Sequence, residues 1–203
     1  MRLGRWLVIL CSLPLAASGQ VIEFESGGLK YLTQTRQGVT VMFAHLPTAL
    51  REYSIIQVAV SNGSSRSWIL RPEDFVFRRA DGTQIQATPA RAVVGQLMER
   101  GSRDDVIKLV SAYEQSLYGF SRHRSTSGYE QRRLAAMAEF GSTRLKAAAA
   151  ASAIAFVQTK LPPGDSTDGA VFYPTHGKPL GVGWLVVQAG GTVFEFQTDS
   201  AAP

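Results

Sequence analysis

The hydrophobic pattern of this chain changes its period twice, from strand-like to helical near Pro89 and back to strand-like after Pro163. Residues 38–45 (GVTVMFAH) and 53–61 (YSIIQVAVS) are apolar runs rich in β-branched and aromatic side chains, which is typical of strands. Because the strands do not alternate regularly with helices, a parallel sheet is disfavoured. The order predicts a mainly β protein, an antiparallel β-sandwich interrupted by a helical hairpin.

Further strands are predicted where short alternating runs are bounded by turn residues. Gly27-Gly28, Asp81-Gly82 and Ala189-Gly190-Gly191 read as hairpin turns, and Asp81-Gly82 predicts a two-residue loop because both residue types tolerate positive φ. The predicted strands beside these turns cover residues 21–25, 29–35, 67–70, 75–78, 169–173, 182–188 and 192–198.

Helical spacing fills the middle of the chain, and we expect an insertion at about residues 90–158. A helix is predicted over residues 90–100 and another over 104–118, the latter with apolar residues three and four apart. A second long helix is predicted from 129 to about 157, with a possible interruption at Gly141. Its apolar side is predicted to hold Leu134, Met137, Ala138 and Leu145. The alanines of residues 147–157 are predicted to pack on a neighbouring helix, with membrane contact as the alternative.

The first 19 residues have the three parts of a secretory signal peptide. Arg2 and Arg5 supply the positive end, residues 6–15 (WLVILCSLPL) form a short apolar core, and small residues precede Gln20. The core is shorter than the roughly 20 apolar residues that a transmembrane helix needs, so a retained anchor is disfavoured. We expect a mature chain of residues 20–203, a single domain with no transmembrane helix, in the periplasm or secreted from a bacterium.

Cleavage before Gln20 removes the only cysteine, Cys11. Leu10 precedes it, where lipid attachment favours a small residue, so lipidation is disfavoured. The mature chain then has no thiol, disulfide or cysteine metal site. Loss of Arg2 and Arg5 leaves 19 basic residues against 16 acidic ones, a net charge of +3. Such an excess is too small to imply nucleic-acid binding.

A resemblance rests on two stretches. In residues 58–89 (VAVSNGSSRSWILRPEDFVFRRADGTQIQATP) a strand ends in Asn and small residues, and a Pro-x-x-Phe strand and an Asp-Gly hairpin follow. In residues 161–174 (LPPGDSTDGAVFYP) an L-x-P-G segment precedes a G-x-V-F strand. Together they resemble bacterial exported immunoglobulin-like domains of uncharacterised families, from which the helical insertion departs. The resemblance implies an immunoglobulin-like fold and a cell-envelope setting, and it transfers no active-site residues.

We find no motif that predicts catalysis, a metal or a cofactor. His45, His123 and His176 lie far apart without partners at metal-ligand spacing, so each is interpreted as an ordinary surface or strand-end histidine. The acidic pairs Glu73-Asp74 and Asp104-Asp105 are interpreted as a turn and as a helix N-terminus, since adjacent side chains point in different directions. Hydrolase-elbow and phosphate-loop motifs are absent from the sequence. Asn62-Gly63-Ser64 is a formal glycosylation sequon, and a strand-end turn is the favoured interpretation.

One constellation could bind a partner. Residues 91–146 hold ten basic and six acidic residues, a net charge of +4. Guanidinium groups grip phosphates and carboxylates with two donors each, so a possible anion or partner site is predicted at Arg122, His123, Arg124, Tyr129, Arg132 and Arg133. The alternative is a solvated loop.

Three functions follow from these observations. The first is a non-enzymatic binding or structural module of the cell envelope, whose partner is an unknown envelope protein or an anionic surface. The alternative is a membrane-surface protein that docks on anionic lipid through its basic helical insertion. An enzyme with a site assembled from scattered residues is a third, since fold alone does not exclude catalysis.

Overall fold

The computed structural model describes residues 19–117, 131, 134–135 and 141–198. The predicted signal peptide therefore lies outside the described residues except for Gly19. The strands are β1 (Val21–Ser26), β2 (Leu29–Arg36), β3 (Val39–His45), β4 (Tyr53–Asn62), β5 (Trp68–Leu70), β6 (Phe75–Arg79), β7 (Gln84–Gln86), β8 (Thr159–Leu161), β9 (Ser166–Pro174), β10 (Gly183–Ala189) and β11 (Thr192–Thr198). The helices are α1 (Ala90–Arg100), α2 (Arg103–Leu117) and α3 (Thr143–Ile154), and a short 3₁₀ turn spans Pro72–Asp74.

The strands form two large antiparallel sheets and one small one. The five-stranded sheet has the order β1-β2-β3-β4-β9, the four-stranded sheet has the order β11-β10-β6-β7, and β5 pairs with β8. Each large sheet therefore combines strands from before and after the helices. The predicted mainly β, antiparallel character of the chain is confirmed, and the strand β8 is an element that the sequence analysis missed.

The glycine turns set the hairpin registers. Gly27 and Gly28 both have positive φ and join β1 to β2, and Gly190 and Gly191 do the same between β10 and β11. The prediction of a two-residue Asp81-Gly82 loop is wrong. The Arg79 amide donates to the Thr83 carbonyl, which closes a three-residue loop in which only Gly82 has positive φ. Asp81 instead accepts a hydrogen bond from the Thr83 amide at 2.8 Å.

The strands β3, β4 and β9 of the five-stranded sheet are buried on both faces, which gives the molecule three layers. One face packs against the four-stranded sheet, with the ring centroids of Phe43 and Phe196 5.1 Å apart. The other face packs against the helices through side chains such as Ile55 and Phe172. Successive side chains of a strand point to opposite faces, so the continuous apolar run of β4 supplies both cores.

The helical layer is built around the alanines of α3. Ala147, Ala150 and Ala151 are buried, and α3 packs against both α1 and α2. The predicted packing of the alanine run on neighbouring helices is confirmed. In the part of the chain that the structure describes, no helix is long and apolar enough to cross a membrane.

Among the described residues, α1 and α2 agree with the helices predicted over 90–100 and 104–118, and α3 starts after the interruption expected at Gly141. Residues 131 and 134–135 are also helical. The described part of the insertion therefore holds more helices than a two-helix hairpin, and the predicted apolar side of the long helix is wrong at two positions. Leu134 and Leu145 were predicted on a packed side, but they are 63% and 37% exposed. Alanine is small enough for close helix contact, so the alanine face of α3 packs on the neighbouring helices and Leu145 points outward.

The favoured turn interpretation of Asn62-Gly63-Ser64 is confirmed. The Asn62 side chain is fully buried, and its amide donates to the carbonyls of Arg66 and Leu161 at 2.6 and 3.0 Å. Its oxygen accepts from Ser64 and from the Trp68 indole. Asn62 thus ties the end of β4 to β5 and β8, and its amide nitrogen is not accessible in the folded protein.

Candidate functional site

The basic residues that were predicted as a partner site are Arg122, His123, Arg124, Tyr129, Arg132 and Arg133, and all six lie outside the described residues. The structure describes the two helices on either side of this segment, α2 and α3, which we call the platform. The segment leaves the C-terminal end of α2 and rejoins the described chain before α3, and α2 and α3 pack against each other.

A buried ion pair fastens this platform to the five-stranded sheet. Asp105 lies in the first turn of α2, and one of its carboxylate oxygens accepts from Arg51 Nε at 3.1 Å and Nη2 at 2.8 Å. The same oxygen accepts from the Ser102 amide and hydroxyl, both at 2.8 Å. The Asp105 amide in turn donates to the Ser102 hydroxyl at 3.3 Å, so the two residues cap α2 reciprocally, and Asp105 also links this helix to the loop between β3 and β4.

The surroundings keep Asp105 ionised. Burial raises the pKa of this carboxyl, but the hydrogen bonds from Arg51 and Ser102, together with the Arg51 charge, outweigh burial and hold the pKa below its ordinary value. The sequence analysis interpreted Asp104-Asp105 as helix N-terminal charges. Both residues do lie at the N-terminus of α2. Asp105 also accepts hydrogen bonds from Arg51 in the β3–β4 loop, a contact that the sequence positions around Asp105 do not predict.

A second polar contact joins the helices to the centre of the sheet. The Tyr113 hydroxyl of α2 donates to a carboxylate oxygen of Asp168 in β9, and the Gln57 amide of β4 lies 3.4 Å from the same oxygen. All three side chains are buried. The contact lies between the helices and the sheet, so together with the ion pair it holds α2 against the sheet at two separated points.

A pocket opens at one end of the two packed sheets. It has a volume of about 280 Å³, and it lies between the β3–β4 loop and the β9–β10 loop. Its described lining residues are mostly apolar and include one titratable side chain, His45. They are His45, Leu46, Pro47, Thr48, Ala49, Ser54, Ile55, Gly177, Pro179 and Leu180.

His45 is the last residue of β3, and its ring packs edge-on against two aromatic rings. The centroid distances are 5.7 Å to Phe43 and 6.4 Å to Phe77. Among the described residues its Nε2 atom is buried and has no hydrogen-bond partner. Burial lowers the pKa of His45 to about 4, so the ring is neutral at neutral pH.

The interpretation of His45 as an ordinary histidine needs correction. It is at a strand end, as predicted, but alternation along β3 puts it on the same face as Val41 and Phe43, which faces the core. The sequence did contain a signal for this position, because His45 ends the apolar run of β3 and lies two and four residues after Phe43 and Val41. His176 is an exposed turn residue with φ of 54°, which agrees with its interpretation, and His123 lies outside the described residues.

Ser54 shares the pocket with His45, but its hydroxyl is already engaged. It donates to the Lys178 carbonyl at 2.9 Å and lies 2.9 Å from the Thr175 hydroxyl. A serine nucleophile needs its proton directed to a base, so this arrangement stabilises the loop after β9 and does not activate Ser54. In the described ranges, no group of three histidine, cysteine or acidic side chains is placed to hold a metal ion.

We expect His45 to make folding stability depend on pH. Its pKa is 6.5 in the unfolded chain and about 4 in the folded one. The unfolded state therefore gains its proton first, and stability falls as the pH drops from 6.5 through 4. Between pH 7 and 5 the loss is about 2 kcal/mol. Urea unfolding at several pH values should show this slope in the wild type and not in His45→Phe.

The control for this prediction is His176→Asn, which replaces an exposed histidine at a positive φ that asparagine tolerates. This variant should show the same dependence of folding stability on pH as the wild type, and should therefore differ from His45→Phe as the wild type does. An unchanged pH slope in His45→Phe would contradict the assignment of that slope to the buried ring.

No protein-family model, no curated protein and no solved structure matches the chain. The fold and the site therefore define it as a mainly antiparallel β protein with a docked helical layer.

Proposed function

We propose that this protein is an exported module of the bacterial cell envelope, with an immunoglobulin-like β-sandwich, that binds a partner through its helical layer and catalyses no reaction. The observation that carries the proposal is the rigid attachment of that layer. Arg51–Asp105 and Tyr113–Asp168 fix α2 to the sheet, and an apolar core lies between them. Helices attached in this way hold their exposed side chains in a constant place, as recognition requires.

The immunoglobulin-like assignment draws on how the sheets are assembled. Two antiparallel sheets pack face to face, and each contains strands from both halves of the chain. Non-sequential strand order and loops gathered at the sheet ends are features of such sandwiches. In sandwiches of this type, loops and insertions perform the recognition.

Charge favours the helical layer as the binding surface. Residues 91–146 hold a net charge of +4, while the whole chain after residue 19 has only +3. The layer also exposes apolar side chains, with Met98 and Ile107 each 52% exposed on α1 and α2. Arginine beside exposed apolar side chains is the composition that protein interfaces favour.

Site-specific photo-crosslinking in the bacterium that makes the protein would test this proposal. A crosslinking side chain at Met98 or Ile107 should yield one discrete adduct. The matched controls are Val182 in the loop before β10, which is 48% exposed, and Val193 in β11, which is 46% exposed, and both should yield no adduct. Equal adducts from all four positions, or none from the helices, would contradict the proposal.

Charge variants extend the test to the basic segment. We expect the adduct to be lost when four arginines become glutamine, namely Arg122, Arg124, Arg132 and Arg133. It should persist when four basic residues outside the helices become glutamine, namely Arg66, Arg79, Lys160 and Lys178. Adducts that survive both sets of changes would remove the basic segment from the proposal.

The membrane-surface alternative rests on the same charge. Flotation with vesicles of phosphatidylglycerol and phosphatidylcholine distinguishes it, because electrostatic attachment is weakened by added salt. If the wild type floats and the variant of the four segment arginines does not, the lipid function replaces the protein-binding one. If neither floats, the alternative is excluded.

A further inference from the structure

We propose that the outer edge of β1 is a docking site for an extended basic peptide segment, which adds to the five-stranded sheet as an antiparallel strand beside β1. The basic side chains of the segment lie opposite Glu23 and Glu25, and its apolar side chains lie opposite Ile22 and Phe24. This edge is a different surface from the exposed sides of α1 and α2, so the inference does not depend on the function proposed above.

Within the described residues, β1 has a neighbouring strand on one side only. It pairs with β2 and begins the strand order of the five-stranded sheet. At the other end of the sheet the edge of β9 is closed, because its Ala170 and Phe172 carbonyls accept from the amides of Phe156 and Thr88 at 2.8 and 2.7 Å. The six residues of β1 contain no proline or lysine, and their register with β2 has no bulge. An edge strand without these features is a template for another strand.

The turn after β1 decides which backbone groups point outward. Residues 27–28 form a two-residue loop of glycines with φ of 59° and 76°, as a type I′ turn requires. In such a hairpin the flanking residues, Ser26 and Leu29, form a hydrogen-bonded pair, and hydrogen-bonded and non-hydrogen-bonded pairs alternate from there. The N–H and C=O groups of Glu23 and Glu25 therefore point away from β2, where an added strand can bind them.

The side chains of β1 set the chemistry of the added strand. Glu23 and Glu25 lie on one face of β1 and Ile22 and Phe24 on the other, and all four are exposed. Ile22 is 57% exposed, so its apolar surface is available to a partner. Lys30 pairs with Glu23 at 2.8 Å, but both side chains remain exposed and one lysine offsets only one of the two carboxylates. A strand with basic residues on one face and apolar residues on the other complements both faces of β1.

Charge favours a basic segment over a second copy of this chain. Two copies of β1 pair antiparallel about a two-fold axis perpendicular to the sheet, which keeps their acidic faces on the same side. In the symmetric registers with the greatest overlap, centred on Glu23 or Phe24, Glu23 lies opposite Glu23 or Glu25 of the second copy. Like charges directly opposite each other destabilise a strand pair. The glutamates that repel a second copy therefore attract a basic segment.

The test uses two synthetic peptides, acetyl-TVKVKVT-amide and acetyl-TVEVEVT-amide, which differ only in the charge of two side chains. In low salt, the lysine peptide should bind the purified wild-type protein about tenfold more tightly than the glutamate peptide, because two opposite-charge pairs replace two like-charge pairs. The double variant Glu23→Lys, Glu25→Lys should reverse this preference. Amide chemical shifts of residues 21–26 should move on binding, and those of α1 and α2 should not.

Backbone methylation of the lysine peptide distinguishes strand addition from charge attraction alone. Its lysine amides face β1, because the lysines pair with the two glutamates whose backbone groups point outward, and its valine amides point away. N-methylation of both lysines should therefore abolish binding. N-methylation of two valines is the matched control and should leave binding intact.

Several results would overturn the proposal. They are equal affinity for the two peptides, the same effect of methylation at lysine and at valine, chemical-shift changes outside β1 and β2, and no binding by the wild type. A concentration-dependent dimer of the wild type that is lost in Glu25→Pro, which removes an outward-pointing N–H, would assign the edge to a second copy and would also overturn it.

Discussion

Replacing Gly169 by alanine is expected to destabilise the protein by about 3 kcal/mol or more, because the new methyl group would overlap backbone atoms. Gly169 lies in β9, directly beneath the chain that leaves α3. A Cβ atom at this position would lie 2.6 Å from the Phe156 Cα and 2.7 Å from the Phe156 amide nitrogen. Backbone atoms cannot rotate away as a flexible side chain can.

The cost is large because Phe156 cannot retreat either. Its amide donates to the Ala170 carbonyl at 2.8 Å, and its ring packs 5.1 Å from the ring of Phe75 in the core between the sheets. A shift that relieves the overlap would stretch the hydrogen bond and open the core. The destabilisation is measured as the change in the free energy of unfolding by urea titration.

Gly95→Ala is the matched control for Gly169→Ala. Gly95 lies within α1, and a Cβ atom there meets nothing within 4 Å. Alanine is a better helix former than glycine, so this variant should gain up to about 1 kcal/mol. If both alanine variants changed stability by a similar small amount, the close approach of Phe156 to β9 would be contradicted.

Replacing Asp105 by alanine is expected to cost about 3 kcal/mol, at the low end for a broken buried ion pair because Arg51 keeps partial access to water. The Arg51 side chain is 33% exposed and that of Asp105 is 7% exposed. The substitution leaves the guanidinium without its carboxylate and removes the acceptor of the Ser102 amide and hydroxyl. The helical layer then loses one of its two polar attachments.

The adjacent residue offers a control for this prediction. Asp104→Ala removes the same charge from the same helix turn, but Asp104 is exposed, so the expected cost is only about 0.5 kcal/mol from the helix dipole. Because the pKa of Asp105 is lowered in the folded state, its contribution is present above pH 3.8 and is lost as the pH falls through that lowered value. The difference between wild type and Asp105→Ala should therefore shrink in acid, and equal costs at positions 104 and 105 would refute the buried pair.

Much of the fold was predictable because it depends on local pattern. Apolar runs rich in β-branched and aromatic residues gave the positions of β3 and β4, and paired glycines gave two of the hairpins. These features follow from neighbours in sequence and need no knowledge of distant residues. The Asp81-Gly82 loop length was missed because the hydrogen bond between Arg79 and Thr83 decides it.

The candidate site was less predictable, because its parts come from separate segments. The environment of His45 depends on Phe77, which is 32 positions away in sequence and packs against its ring. The role of Asp105 beyond a helix N-terminal charge depends on Arg51, which comes from the β3–β4 loop. Single-sequence patterns show which face a side chain occupies, but they do not show what lies opposite that face.

By itself, the sequence determined the order of strands and helices, the turn positions and the concentration of basic residues in the helical part. Those properties depend on backbone preference and on the spacing of apolar residues. Only the tertiary structure decided that the inner strands of the five-stranded sheet are covered on both faces, that α2 is tied to this sheet by Asp105 and Tyr113, and that His45 lies half-buried beside a pocket. Burial and hydrogen bonding between distant segments depend on how the layers pack, and this packing brings together residues that no local pattern connects.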